Sequence, residues 1–198
     1  IEEVIREFFR NKEEVKKTKL NENLKDNRIV IQGFGNVGRH LAYELYNRDN
    51  AKIIAIGEYN GILYNENGID INKLIECVLF KKTIENNELG KFIKNPKEIV
   101  EVDCDILIPA ALEGVINKDN VEKVKTKLIV EAANGPIDPE SDKILFNKGI
   151  TVLPDIYVNA GGVVVSYFEW VKNLSHIRFG RMEKRYQEHK LLELIKLI

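Results

Sequence analysis

Gly33-Phe34-Gly35-Asn36-Val37-Gly38 sets three glycines at the spacing G-x-G-x-x-G, a pattern whose chemistry is the cradling of phosphate by backbone amides. Glycine-rich hexamers also occur by chance, so context decides. An apolar, β-branched run, Arg28-Ile-Val-Ile-Gln32, stands directly before the hexamer, and Val37, Leu41, Ala42 and Leu45 form a helical stripe after it. In that strand–turn–helix setting Gly33 permits the tight turn, Gly35 lets the backbone approach a pyrophosphate, and Gly38 lets the helix lie close to the sheet. The helix start, through Asn36, Val37 and Gly38, offers unpaired N–H groups and a positive dipole.

Glu58 lies 20 residues beyond Gly38, at the end of a second strand-like run, where a carboxylate can bond the hydroxyls of an adenosine ribose. It would repel a 2′-phosphate, and Tyr59, Asn60 and Gly61 supply no cation to welcome one. NAD is therefore expected, with NADP possible; the plain alternative is a strand-end acid facing solvent. Three further stretches fall at strand ends: Pro109-Ala110-Ala111, Ala133-Asn134-Gly135-Pro136 and Asp155 to Gly162. In a parallel sheet those ends form the ligand crevice, where small residues admit a cofactor and Asn side chains supply donors and acceptors. Each taken singly reads as a turn; their succession carries the functional reading. Further on, Val163-Val-Val-Ser166 opens a helix with β-branched residues that disfavour it, pointing to packing demands or a ligand-facing wall. Ser166 by itself is most simply a small packing residue.

The elements that must position these residues follow from the apolar runs. Short β-branched segments recur at Lys52–Ile56, Cys104–Ile108, Lys127–Val130 and Ile150–Leu153, mostly separated by helical patterns at roughly 23-residue spacing. That alternation predicts an α/β, Rossmann-like domain with a mostly parallel sheet flanked by helices. Asp138-Pro139 reads as a helix start and Gly149 as its stop. Between Glu58 and Val102 the rhythm breaks. Asn60-Gly61 and Asn67-Gly68 bracket Ile62-Leu63-Tyr64, predicting a small hairpin excursion, with a helix over about Asp70 to Lys81. Ile1 to about Leu20 reads as one amphipathic helix with a solvated Lys/Glu face. The expected organisation is an N-terminal helix and loop over 1–27, a dinucleotide-binding domain over 28–180 and a truncated C-terminal helix over 181–198.

Composition narrows the class. The 198 residues suffice for one good-sized domain, and 30 basic against 31 acidic residues give no electrostatic reason to expect nucleic acid or an anionic membrane. No apolar run reaches membrane-spanning length. Cys77 and Cys104 have no metal-type spacing and read as reduced thiols in an intracellular protein, of cytoplasm or mitochondrial matrix. His40, His176 and His189 are scattered, so no metal site is expected. Ile1 opens inside a helical pattern and Leu194-Ile-Lys-Leu-Ile198 closes on an apolar run, which suggests a domain excised from a longer polypeptide.

Several blocks in order give a specific resemblance. Ile31-Gln-Gly-Phe-Gly-Asn-Val-Gly38, Cys104-Asp-Ile-Leu-Ile-Pro-Ala-Ala111, Glu131-Ala-Ala-Asn-Gly-Pro136, Pro154-Asp-Ile-Tyr-Val-Asn-Ala-Gly-Gly-Val163 and Ser166-Tyr-Phe-Glu-Trp170 together resemble the cofactor domain of hexameric glutamate dehydrogenases. The related leucine, phenylalanine and valine dehydrogenases share the glycine turn, but the aromatic block is similar to the glutamate enzymes. The resemblance implies a modified Rossmann domain with one strand reversed, and reversible NAD(P)-dependent oxidative deamination of L-glutamate to 2-oxoglutarate and ammonium by a homo-hexamer. It implies that Gly33 to Gly38 hold the pyrophosphate and Glu58 the adenosine ribose. Ala110 and Ala111 would line the cofactor path, and Asn134 and Asn159 would reach the nicotinamide end. Val163 and Ser166 would face the substrate, the hydroxyl donating to its distal carboxylate. The family's catalytic lysine and aspartate belong to a separate substrate domain. No Gly-Gly-x-Lys-Gly segment occurs in this chain, so no catalytic residue is expected within it, and the fragment alone is expected to be inactive. A leucine, phenylalanine or valine dehydrogenase domain acting on a branched-chain or aromatic amino acid, and a non-catalytic dinucleotide-binding module, are the alternatives.

Overall fold

A computed structural model describes residues 1–86 and 88–174. Its strands are β1 (Arg28–Gln32), β2 (Lys52–Glu58), β3 (Gly61–Tyr64), β4 (Lys91–Ile93), β5 (Ile106–Pro109), β6 (Leu128–Val130) and β7 (Thr151–Leu153). They form one sheet in the order β4-β3-β2-β1-β5-β6-β7. β1 pairs in parallel with β2 on one side and β5 on the other, and β6 and β7 continue in parallel beyond β5. β3 runs antiparallel to both of its neighbours, the one reversed strand. The helices are α1 (Glu2–Arg10), α2 (Lys12–Lys17), α3 (Asn36–Asp49), α4 (Ile71–Lys81), α5 (Pro139–Asn147), α6 (Asp155–Val158) and α7 (Ala160–Leu174). This is the α/β, Rossmann-like architecture that the alternation of apolar runs predicts.

Burial on both faces explains why the strands read as continuous apolar runs rather than alternating ones. On one face Ile29, Ile31, Ile53, Ile56, Ile106 and Ile108 pack with Ile5 and Phe9 of α1, Leu41 and Leu45 of α3 and Leu74 of α4. On the other, Val30, Ile54, Ala55, Leu107 and Ile129 pack with Ile99, Ile116, Val121 and Leu145. Each fully buried Ile or Leu side chain contributes about 1.5–3 kcal/mol relative to exposure. The β1–β2 register slips between Ile29, opposite Ile53, and Val30, opposite Ala55, so Ile54 is an extra residue and β2 carries a bulge.

Several local expectations hold. Asp138 caps α5 by accepting from the Ser141 N–H (2.6 Å), Pro139 takes the first helical position, and Gly149 (φ +73°) follows the helix end. The Asp70 side chain likewise caps α4 through the Lys73 N–H (3.1 Å). Others change. The N-terminal segment is two helices rather than one, because the Asn11 side chain accepts the Glu14 N–H (3.4 Å) and starts a new helix where the first ends. The hairpin is not an excursion. β2 and β3 meet through a turn at Tyr59-Asn60, and β3 is a full member of the sheet. β4, absent from the sequence reading, adds the outer strand. Between β5 and β6 the only regular piece is a single 3₁₀ turn over Val121–Lys123. Lys148 at the end of α5 secures that turn, donating to the carbonyls of Val121 (3.1 Å), Glu122 (2.8 Å) and Val124 (3.1 Å).

The chain divides into two compact units, Ile1–Asn159 and Ala160–Ile198. Of the second, α7 is the described part; it forms a 15-residue helix despite its run of valines, with Tyr167 set against Phe168 and Trp170. The expected C-terminal helix over 181–198, the boundary at 180, His176 and His189 lie outside the described residues.

At the N-terminal ends of the strands Asp105 joins three elements. It accepts from the Arg28 N–H (2.8 Å) and pairs with Lys127 (2.8 Å), while the Arg28 guanidinium stands 3.6 Å away and bonds Asp103. Burial opposes its charge, but the Arg28 amide and the Lys127 ammonium outweigh burial and hold the carboxyl below the usual range. A carboxyl with a depressed folded-state pKa contributes stability above its unfolded value and loses it as pH falls through the folded one. Asp105→Asn is therefore expected to cost about 1–2 kcal/mol at neutral pH. The difference from wild type should shrink below about pH 4 and vanish in stronger acid. Urea denaturation across that pH range checks it.

Candidate functional site

The carboxyl ends of the strands are linked by backbone hydrogen bonds that step across the sheet. The Gly33 N–H donates to the Gly57 carbonyl (2.7 Å), tying the turn after β1 to the end of β2. The Ala110 N–H reaches the Gln32 carbonyl (2.7 Å), so the start of the loop after β5 is held against β1. Ala132 and Ala133 both donate to Pro109 (3.0 and 2.9 Å), and Glu131 donates to Leu153 (3.1 Å). The result is a shelf running from β2 through β1 and β5 to β6 and β7. It includes the point between β1 and β5 where strand order reverses, the place for a ligand crevice in such sheets.

Side chains are excluded where the shelf is tightest. Gly33 has φ +100°, and a Cβ there would lie 2.7 Å from the Ala111 methyl. A Cβ on Gly38 would drive into the Gly33 carbonyl oxygen. Gly35 is different: it has an ordinary φ of −70°, and a Cβ on it would meet nothing within 4 Å. No close contact within the fold requires glycine at Gly35, and the space beside it is open. Gly35 is also the N-cap of α3; no side chain caps that helix, and its first turn holds no acidic residue. The first intrahelical bond is Arg39 N–H to Gly35 (3.0 Å), which leaves the amides of Asn36, Val37 and Gly38 without intrahelical acceptors. Asn36 and Val37 are exposed.

Glu58 is half-buried at the tip of β2, and one carboxylate oxygen accepts the Phe34 N–H inside the glycine turn. It is therefore joined to the turn rather than merely facing solvent. Ala110 and Ala111 sit against Gly33. Asn134 and Asn159 are brought together 25 positions apart in sequence, the Asn159 amide donating to the Asn134 side-chain oxygen (2.6 Å). In α7, taken by itself, Ser166 donates to the Val163 carbonyl one turn earlier (2.9 Å). Among the described residues no group of three or more His, Cys, Asp or Glu is arranged to hold a metal, and no helix is long and apolar enough to cross a membrane. Burial pushes the Cys104 thiol up to about 12.

Spacing assigns no individual role to Glu131 or Asp155, although Asp155 opens one of the strand-end stretches. Glu131 follows β6 and is buried; its carboxylate accepts the Asp155 N–H (2.9 Å), and Asp155 in turn accepts the Gly135 N–H (2.8 Å). Burial, aided by the nearby Asp155 charge, raises the Glu131 carboxyl above its usual range. The available signal was an acid placed directly after a fully apolar strand.

Fold and site together define a Rossmann-like α/β domain with a glycine turn and an uncapped helix at its topological switch point. A sequence model of the Glutamate/Leucine/Phenylalanine/Valine dehydrogenase family matches residues 8–193, and the chain belongs to that family. It is 46% identical over 194 residues to the mitochondrial glutamate dehydrogenase of Dictyostelium discoideum, covering 98% of this chain and 38% of that protein. It is 49% identical over 152 residues to an NADP-specific glutamate dehydrogenase of Saccharolobus shibatae, covering 77% of this chain and 36% of the relative. Among solved structures, the hetero-hexameric glutamate dehydrogenase of Thermus thermophilus in a Leu-bound form superposes with a TM-score of 0.71 at 28% identity, over 87% of this chain and 40% of that one. The chain thus spans well under half the length of these relatives.

The glycine geometry yields a contrast in stability. Gly38→Ala should destabilise by roughly 1–3 kcal/mol, because the Gly33 backbone must move to admit the methyl. Gly35→Ala should cost less, about 0.5–1 kcal/mol, because alanine is the poorer N-cap. Chemical denaturation of the two variants measures the difference.

Proposed function

We propose that this chain is the dinucleotide-binding part of a glutamate dehydrogenase and that the catalytic residues lie outside it. The observation that carries the proposal is the uncapped start of α3 beside Gly35, where open space, unpaired amides and the helix dipole coincide at the β1/β5 switch point. In this reading the amides of Gly35, Asn36, Val37 and Gly38 hold the pyrophosphate, with Gly33 allowing the turn. The carboxylate oxygen of Glu58 not engaged by Phe34 accepts from the adenosine ribose. Ala110 and Ala111 keep the path along β5 shallow. Asn134 and Asn159 hold the nicotinamide end, and Val163 and Ser166 face the substrate side chain.

The bound nicotinamide supplies the hydride acceptor for oxidation of the amino acid at its α-carbon. This chain's residues supply orientation, since fixing both partners removes much of the entropic barrier. Hydrolysis of the resulting iminium gives 2-oxoglutarate and ammonium. By itself the chain is expected to bind dinucleotide and turn nothing over. NAD is the proposed cofactor, because a carboxylate at the tip of β2 would repel a 2′-phosphate; the NADP-specific relative keeps NADP as the alternative. A homo-hexamer and a cytoplasmic or mitochondrial setting are carried only by the family likeness.

One observation favours a second reading, a leucine-, phenylalanine- or valine-type substrate: the Ser166 hydroxyl is already engaged by its own helix and must rotate to meet a carboxylate. In the full-length enzyme Ser166→Ala should reduce glutamate turnover far more than turnover of apolar amino acids. Better turnover of apolar amino acids by the unmodified enzyme would reject glutamate. Calorimetry tests the cofactor reading on the chain itself. NADH should bind, and Gly35→Ala should weaken it by about tenfold while the protein stays folded, because the methyl would fill space the pyrophosphate needs to approach the amides. Tighter binding of NADPH than of NADH would overturn the role given to Glu58.

A further inference from the structure

We infer that Asp155, held by Glu131, is a positioning residue for the nicotinamide end of the crevice, acting through Asn134 and Asn159. The inference rests on the dinucleotide reading above and names the device that sets its far end. α6 is a single turn of four residues, too short to hold its own shape. Asp155 opens it, and all of its polar groups are engaged. Its N–H donates to Glu131 Oε2 (2.9 Å), its Oδ2 accepts from the Gly135 N–H (2.8 Å), its Oδ1 from the Ile156 N–H (2.6 Å), and its carbonyl from the Asn159 N–H (2.9 Å). Asn159 then donates through its side chain to Asn134, which immediately precedes Gly135 (2.6 Å). The bonds close a ring through the loop after β6 and the turn after β7, with Asp155 as the node.

The ring constrains two otherwise free amides. Gly135 adopts φ +51°, so Asn134 leaves the strand end through a turn whose N–H is held by Asp155. With Asn134 Oδ1 occupied by Asn159 Nδ2, an amide donor on Asn134 and an amide acceptor on Asn159 remain for a ligand. Glu131 anchors the node from below; it is buried and lies nearer the sheet than the exposed Asn134. Loss of the Asp155 carboxylate would give the exposed Gly135 N–H up to water and release both amides, leaving the glycine turn at the other end of the shelf untouched.

That separation gives the test. Binding of NADH and of ADP, which lacks the nicotinamide riboside, is measured by calorimetry on the chain and its variants. Asp155→Ala is expected to weaken NADH about tenfold, the scale on which supporting groups hold a ligand's direct contacts, and to leave ADP unchanged. Asp155→Asn, which keeps an acceptor for Gly135, should recover most of the loss. Glu131→Leu should repeat the NADH-specific loss and carries the comparison if Asp155→Ala does not fold. Equal losses for both ligands, no loss for NADH, or no recovery in Asp155→Asn would overturn the positioning role. Failure of the unmodified chain to bind either ligand would instead overturn the dinucleotide reading, and this inference with it.

Discussion

At Gly33 and Gly38 the backbone comes closer to itself than any side chain permits, and the rest of the site depends on that approach. The Gly33 amide is spent on Gly57, its Cα lies against Ala111, and its carbonyl occupies the space a side chain at Gly38 would need. With the turn so compressed, α3 starts directly over the sheet edge, and its unsatisfied amides face outward beside Gly35 instead of being absorbed by a longer loop. Glu58 reaches the same turn through Phe34. A helix start, a carboxylate and two small residues that follow β5 are thus held together mainly by backbone contacts. Main-chain contacts are stiffer than side-chain ones, and such stiffness suits a preformed binding surface.

The two ends of the sheet solve opposite electrostatic problems. Where the strands begin, Asp105, Arg28 and Lys127 pair charge with charge and with backbone donors, so that edge is electrically closed. Where the strands end, the start of α3 has no side-chain cap and no acid in its first turn, and the Glu58 carboxylate meets the turn before it at Phe34. Fully paired polar groups add rigidity, whereas unpaired ones retain a demand for a partner. The asymmetry leaves one edge of the sheet with its charges paired and the other with free backbone donors.

Much of this was legible in the residues. The parallel strands announced themselves because both faces are buried, which forces unbroken β-branched runs such as Ile29-Val30-Ile31 and Ile53-Ile54. The cap of α5 was readable from Asp138-Pro139 because capping is local chemistry. β4 escaped because Lys91-Phe92-Ile93 is three residues long and begins with a charge, a pattern suited to an edge strand but too short to show a period. The break at Asn11 was hidden because the apolar stripe runs past it; only the side-chain bond to Glu14 decides the matter. In the candidate site, the glycines and the strand-end asparagines could be found from spacing. The ring through Glu131 and Asp155 could not, because it joins loops 24 positions apart whose partners depend on strand order.

The bulge in β2 has a consequence for where Glu58 ends up. Side chains on a strand alternate between faces, yet Ile54 and Ala55 both fall on the face of Ile99, while Ile53 and Ile56 fall on the face of α3. The extra residue inverts the parity of everything downstream, so Glu58 shares the side of Ile56 and reaches the turn beneath α3. Without that single insertion the same carboxylate would emerge on the opposite layer, out of reach of Phe34. An irregularity buried in mid-strand thereby chooses which half of the molecule receives the acid, four residues before the acid appears.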